Sequence, residues 1–71
     1  MNRMNKLLSL QENLIDKLFS LYDCRQFELV SEISSDLIKS FPNSDILLNL
    51  IGLSNRELKN YIISENAFKR L

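Results

Sequence analysis

Apolar residues recur at steps of three and four along most of the chain, which is the spacing that places side chains on one face of an α-helix. In the first such stretch Leu14, Leu18 and Leu21 form one stripe, and polar residues occupy most of the positions between them. This pattern predicts a first helix over about 10–24.

The start of this helix has two alternatives. Ser9-Leu10-Gln11-Glu12 has the Ser-x-x-Glu form of a capping box, in which two side chains satisfy the free amides of a helix start. The apolar spacing, however, continues back to Met4. We therefore place the start of the first structural unit at Leu10 and treat residues 1–9 as an N-terminal extension that can itself be helical.

A second apolar stripe contains Phe27, Val30 and Leu37, and predicts a second helix. We expect this helix to end at Phe41, because the residue before a proline is driven out of the helical conformation and Pro42 follows. The proline begins a compact turn that leads into the third segment.

The third segment, residues 45–58, is the most apolar of the chain, and either Asn43 or Ser44 can cap its start. A helix that is apolar on most of its circumference is covered by neighbours on two sides. Gly52 lies inside it, where glycine costs about 1 kcal/mol relative to alanine. We therefore predict that the preceding hairpin approaches the helix closely at Gly52. A fourth helix is predicted from about Asn60 to the last residue. Because no helix stop signal follows Leu71, we expect the chain to be a piece of a longer protein.

Length and charge narrow the classes of function. The 71 residues suffice for one small domain, and nine basic and nine acidic side chains give zero net charge. Because nucleic-acid-binding proteins carry basic faces, we expect no nucleic-acid partner. No apolar run approaches the roughly 18 residues of a membrane span, so we expect no membrane partner. The single cysteine cannot form an internal disulfide, which fits a reducing compartment and predicts a cytoplasmic location.

Residues suited to catalysis are scarce. The chain has no histidine and only one glycine, which argues against a histidine general base and a phosphate-binding loop. Cys24 has no neighbouring base, and we expect it to have only a packing or bend role. The carboxylates do not have the spacing of a calcium loop. We therefore expect a protein that is not an enzyme and that uses no catalytic residue, cofactor, metal or small-molecule substrate.

The chain contains a faint internal repeat. An offset of 34 aligns residues 11–37 with residues 45–71, and Arg25-Gln26-Phe27 then matches Lys59-Asn60-Tyr61 by three conservative pairs. The identical pairs in this alignment are Leu14 with Leu48, Ser20 with Ser54, and Leu37 with Leu71. Because the turn triplets and Pro42 fall in one register, we predict two equivalent helical hairpins.

This register resembles that of the tetratricopeptide (TPR) repeat, whose pattern of 34 residues is Trp-x-x-Leu-Gly-x-x-Tyr, then Ala-x-x-x-Phe, then Pro. The second unit has Leu48-x-x-Ile51-Gly52-x-x-Asn55 and Ser64-x-x-x-Phe68, in which Gly52 and Phe68 match directly and Asn55 departs. The first unit keeps Leu14, Leu21, Val30 and the closing Pro42, and departs at Lys17, Leu18 and Ser34. The resemblance covers residues 11–71 and is closest to the opening repeats of bacterial TPR proteins.

The resemblance implies an all-α fold. Two antiparallel helical hairpins, residues 10–42 and 43–71, would stack as a short right-handed solenoid of four helices. An unrelated four-helix bundle is the alternative. We favour the stacked hairpins because the glycine, the turn triplets and the proline share one register, and because the third helix is apolar on two sides.

In TPR proteins the first helix of each repeat lines a concave surface that binds partner peptides or helices. The resemblance transfers this role to Ile15, Phe19, Tyr22, Asn49, Leu53 and Arg56, with Glu12, Asp23, Ile46 and Glu57 beside them. Ile15, Phe19 and Leu53 occupy positions where chaperone-binding members need Lys and Asn, so capture of an acidic C-terminus is not expected. The alternative is internal packing, in which these side chains contact the extension from Met4 to Leu8.

We therefore predict a protein–protein interaction module without chemistry of its own, which binds a helix or peptide of a partner. The alternative function is a structural helical segment, either self-associating or forming an accessory N-terminal module of a larger bacterial enzyme, such as a glycosyltransferase or sulfotransferase. For the isolated chain we expect a homodimer, because two repeats leave apolar surface uncovered. The residues predicted to mediate this contact are Ile62, Ile63, Ala67 and Leu71.

Overall fold

The computed structural model describes the backbone of residues 3–71 and the side chains of residues 13–71. This part of the chain contains four α-helices and no strand. The helices are α1 (Arg3–Asp23), α2 (Phe27–Leu37), α3 (Asp45–Glu57) and α4 (Tyr61–Lys69). Each helix packs on the next along the chain. The predicted all-α class is therefore confirmed, with α1 and α2 forming a first antiparallel hairpin and α3 and α4 a second.

The first helix starts earlier than the capping box predicted. α1 begins at Arg3, so Ser9 lies within the helix and its predicted role as a cap is wrong. Extending an existing helix is far easier than nucleating one, and a serine in a helix interior costs little. The apolar spacing that continues back to Met4 is therefore the better guide to the start of α1.

The two hairpin turns have the same backbone geometry at an offset of 34 residues. Arg25 and Lys59 adopt positive φ angles of 62° and 66°, the left-handed conformation that ends many helices. The predicted equivalence of the turn triplets is thus confirmed in the backbone. The N–H to O=C hydrogen bonds correspond pair by pair: Cys24 to Ser20 and Leu58 to Ser54; Arg25 to Tyr22 and Lys59 to Arg56; Gln26 to Leu21 and Asn60 to Asn55; Val30 to Gln26 and Ser64 to Asn60.

The ends of α2 and α4 lie before their predicted positions. α2 ends at Leu37 instead of Phe41, and the N–H of Ser40 donates to the Leu37 carbonyl at 3.0 Å in a tighter turn. α2 therefore ends well before Phe41, the residue whose conformation Pro42 restricts, and the intervening residues form tighter turns. α4 ends at Lys69 rather than at the last residue, again through i→i+3 bonds.

The start of α3 follows the sequence closely. Of the two candidate caps, Ser44 has this role: its side-chain oxygen accepts a hydrogen bond from the Leu47 N–H at 3.3 Å. Asp45 lies in the first turn, where a carboxylate complements the positive end of the helix. Arg70 joins the far end of α4 to this region, because its guanidinium donates to the Pro42 carbonyl at 3.1 Å.

The main core lies where the first hairpin meets α3. Its buried centre is formed by Leu18, Val30, Leu47 and Leu50, each at most 2% exposed. Because α3 packs against α2 on one side and α4 on the other, the prediction of a helix covered on two sides is confirmed.

A close contact between α3 and α4 lies at Gly52. The Ser64 hydroxyl donates to the Gly52 carbonyl at 2.7 Å, and a Cβ on Gly52 would come within 2.8 Å of the Phe68 Cδ1 atom. The predicted close approach is confirmed, but the expected neighbour is wrong, because α4 and not the preceding hairpin meets Gly52. At 100° per residue, Gly52 lies on the opposite side of α3 from Leu50, which faces the first hairpin.

Candidate functional site

Three of the predicted partner-binding residues lie on α1 in different environments. Phe19 is 47% exposed, a large apolar side chain in contact with solvent. Ile15 is half-buried against the main core. Tyr22 is also half-buried, and its ring meets that of Phe27 edge to face with centroids 5.2 Å apart. Only Phe19 therefore projects freely from this half of the predicted surface.

The other three partner-binding residues lie on α3. Asn49 and Arg56 are exposed, and Leu53 is half-buried. Arg56 lines a groove with residues of α4, whereas Ile15 lines a separate cleft. The structure thus places the six residues on the same pair of helices, but one of them lines each concavity and the other four line neither. Glu12, which the resemblance placed beside them, lies outside the described side chains; Asp23 and Glu57 are exposed.

An apolar cleft of about 110 Å³ opens between α1, the end of α2 and the start of α3. Its lining is Leu14, Ile15, Leu37, Phe41, Ser44, Ile46 and Leu47. Leu14, Phe41 and Ile46 remain 38–46% exposed, so the cleft presents apolar surface to solvent. Sequence reasoning missed the contribution of Phe41, although an aromatic residue before a proline turn is a usable signal for such a position.

The residues predicted for self-association separate by burial. Ile62 is 77% exposed, Ile63 51% and Leu71 53%, so these three present apolar surface to solvent. Ala67 is 5% exposed and therefore lies outside this exposed set. We call Ile62, Ile63 and Leu71 the α4 strip. The contact between Met4–Leu8 and the α1 residues, the internal-packing alternative, lies outside the described side chains.

The groove that contains Arg56 runs along the outer side of the second hairpin. We call it the outer groove; it is lined by Arg56, Tyr61, Ser64, Glu65, Phe68 and Lys69. Its charged side chains include an exposed ion pair, with Lys69 Nζ 3.2 Å from Glu65 Oε1. The groove therefore combines an aromatic lining with a charged rim.

Groups for chemistry are sparse in the part of the chain that the structure describes. Among residues 13–71, no three His, Cys, Asp or Glu side chains converge as a metal-binding group. Cys24 is exposed in the first hairpin turn, so of its two expected roles the packing role is wrong and its position is in the bend. None of the helices over residues 3–71 has the length and hydropathy of a membrane span.

Comparisons of the chain with protein-family models, curated proteins and solved structures gave no match.

Proposed function

We propose that the chain is a TPR-type helical-repeat module, without catalytic activity, that binds a helix or peptide of a partner protein in a bacterial cytoplasm. The observation that carries the proposal is the 34-residue period of the two hairpin turns. Arg25 and Lys59 both have positive φ, and the hydrogen bonds around them match. The two turns are therefore equivalent, and the 34 residues between them are the length of one TPR repeat. The hairpins then form a short right-handed solenoid.

Packing at the second hairpin supports the same proposal. Gly52 and Phe68 are the two direct matches to the TPR pattern, and the Phe68 ring lies where a side chain on Gly52 would extend. In this arrangement the Phe68 ring occupies the space that a side chain at position 52 would need, so only glycine fits there. Helical repeats use the surfaces left open by their stacking to bind other chains.

The binding surface in this proposal is the face of α1 and α3 that carries Phe19, Asn49 and Leu53. An exposed aromatic ring beside polar groups suits the apolar side of an amphipathic helix. Aromatic side chains also contribute most strongly to interfaces when a partner buries them. Phe19 is therefore the residue on which binding depends most.

The test compares three immobilised forms of the chain in lysate of its source cells: the parent, Phe19→Glu and Leu29→Glu. Leu29 is 42% exposed and lies on α2, so its substitution adds the same charge to a similarly exposed apolar site elsewhere. We expect a protein that the parent and Leu29→Glu retain equally and that Phe19→Glu depletes about tenfold or more. The purified candidate must show the same order of affinities. Equal retention by all three forms would contradict the proposal.

A second candidate function is self-association through the α4 strip, favoured by the 77% exposure of Ile62. Exposed apolar patches on small proteins often mark contact surfaces, and a two-fold dimer is the simplest closed assembly. Sedimentation at high micromolar concentration should show a dimer that Ile63→Glu dissociates and Phe19→Glu leaves intact. A compact 8.3 kDa monomer would exclude this candidate.

A further inference from the structure

The outer groove has a counterpart inside the molecule. The 34-residue offset relates its six lining residues to six residues of the first hairpin. These are, in order, Tyr22, Phe27, Val30, Ser31, Ser34 and Ser35. The equivalence rests on the matching turns of the two hairpins and does not depend on any family resemblance.

The counterpart surface on the first hairpin is the one that α3 covers. Val30 is fully buried in the core that contains Leu47 and Leu50 of α3. Ser31 accepts a hydrogen bond from Asn55 Nδ2 at 2.9 Å. All six counterpart residues are buried or half-buried, whereas Arg56, Tyr61, Glu65 and Lys69 in the outer groove are exposed. The same kind of surface is thus covered by a helix in one hairpin and open in the other.

A second copy of the chain does not supply a fitting helix from α1, the helix equivalent to α3. At the positions of Leu47 and Leu50, which enter the core, α1 carries Asn13 and Asp16. Both are exposed polar residues, so the outer side of α1 resembles the polar cap of a helical repeat. The occupant of the outer groove must therefore provide aliphatic side chains that α1 lacks.

The contact between Asn55 and Ser31 indicates which charge the occupant carries. In the outer groove Glu65 occupies the position equivalent to Ser31. A helix that docked there in the way that α3 docks on the first hairpin would place its residue equivalent to Asn55 opposite the Glu65 carboxylate. Among the side chains that the structure describes, Glu65 is paired with Lys69 alone, and both side chains are about two-thirds exposed. An exposed pair of this kind is weak and readily exchanged. A basic side chain at that position of the occupant would therefore find a carboxylate ready to pair with it.

We propose that the outer groove binds an amphipathic helix of a partner protein, with aliphatic side chains three residues apart and a basic side chain five residues after the second. This spacing is that of Leu47, Leu50 and position 55 in α3. The aliphatic pair packs against the aromatic lining of Tyr61 and Phe68, and the basic side chain pairs with Glu65. The surface is distinct from the α1–α3 face that carries Phe19.

The test uses peptides of residues 43–58, because α3 is the helix that binds the equivalent surface. One labelled peptide carries Asn55→Lys and its matched control carries Asn55→Glu. Titration into the full chain, followed by fluorescence anisotropy, should show the Lys peptide binding about three- to fivefold more tightly. A further control, with Leu47→Asn and Leu50→Asp in the Lys peptide, should bind about tenfold more weakly or not at all.

The decisive measurement is the charge reversal Glu65→Lys, at an exposed position whose substitution leaves the core intact. This variant should reverse the preference and bind the Glu peptide more tightly than the Lys peptide. Amide shifts on titration should map to Arg56, Tyr61, Glu65 and Lys69, and Phe19→Glu should leave the affinity unchanged. The proposal fails if neither peptide binds, if Glu65→Lys does not change the preference, or if the shifts map to the apolar cleft. It also fails if dilution of the chain alone produces the same shifts, because the occupant is then a second copy.

Discussion

The two hairpins share one register, yet identical residues in that register have different surroundings. Leu14 on α1 is 39% exposed, whereas its equivalent Leu48 on α3 is 2% exposed. Ser20 is exposed, whereas Ser54 is fully buried and donates to the Leu50 carbonyl at 2.6 Å. The difference arises from position in the stack, since α3 has α2 and α4 as neighbours. The environment of a repeated residue is therefore decided by the number of helices around it and not by the residue itself.

The helix contacts within the two hairpins are also built differently. In the first hairpin, Leu18 and Val30 fill the space between α1 and α2 as buried aliphatic side chains. In the second, the same positions are Gly52 and Ser64, joined by a hydrogen bond from a hydroxyl to a backbone carbonyl. One contact is stabilised by the volume of side chains and the other by the approach of backbone. The two should respond in opposite ways to changes in side-chain size.

The largest expected difference concerns the identical leucines. Leu48→Ala should lower the free energy of unfolding by about 2–4 kcal/mol, because it leaves a cavity between α3 and its neighbours. Leu14→Ala at the equivalent position of α1 should cost less than about 1 kcal/mol, because the side chain is already partly in solvent. Urea denaturation followed by circular dichroism measures both. Equal losses would show that α1 has a second neighbour in solution.

At Gly52, Gly52→Leu should destabilise the chain by about 1–3 kcal/mol through overpacking against Phe68, despite the better helix propensity of leucine. Gly52→Ala should cost less, because the Phe68 ring can rotate away from a single methyl group. Leu18 occupies the equivalent position in the first hairpin, so the same side chain is favourable there and unfavourable at Gly52. A thermal melt in which Gly52→Leu equals or exceeds the parent would contradict the close contact.

Two buried serines should show effects of opposite sign. Ser64→Ala removes the hydrogen bond to Gly52 and should cost about 1 kcal/mol. The Ser34 hydroxyl, on α2, is fully buried and makes no hydrogen bond within the described part of the chain. Because burying an unpaired hydroxyl is unfavourable, Ser34→Ala should leave stability unchanged or raise it by up to about 1 kcal/mol. Denaturation midpoints of the two variants test this, and a clear loss for Ser34→Ala would indicate a partner for its hydroxyl.

The smallest expected effects are at the two turns and should be equal. Arg25→Gly and Lys59→Gly should each stabilise the chain by about 0.5 kcal/mol, because glycine adopts positive φ without the steric cost of a Cβ. Part of that gain is lost to the greater freedom of glycine in the unfolded chain. Arg25→Ala serves as the control and should bring no gain. Unequal effects of the two glycine substitutions would show that the two turns differ in energy although their backbone conformations match.

The sequence predicted best those features that depend on local spacing. Helical periodicity identified all four helices, and the turn triplets identified the residues that reverse the chain. Ser44 was one of two predicted caps for α3 because capping involves only nearby residues.

Features that depend on neighbouring helices were not predictable in the same way. A glycine within an apolar helix indicates that another element packs closely there, but the sequence does not show which helix packs against Gly52. Likewise, no pattern around Ala67 distinguishes a buried alanine from an exposed one. Asn55 departs from the repeat pattern, yet it is buried and joins α3 to Ser31 on α2. Its role depends on a contact across 24 residues of sequence, which spacing within a helix does not encode.

The position of α3 between two helices also has a consequence for the order in which the molecule opens. If α1 detaches, α3 keeps both its neighbours, and if α4 detaches, α3 keeps α2, but α3 cannot detach without losing its contacts with both α2 and α4. Amide protons of α3 should therefore exchange with solvent only through complete unfolding, while those of α1 and α4 exchange through partial openings of lower free energy. Stability in this small protein is then graded from the ends towards a single shared helix, and each surface proposed to meet a partner joins residues of that helix to residues of a less protected one.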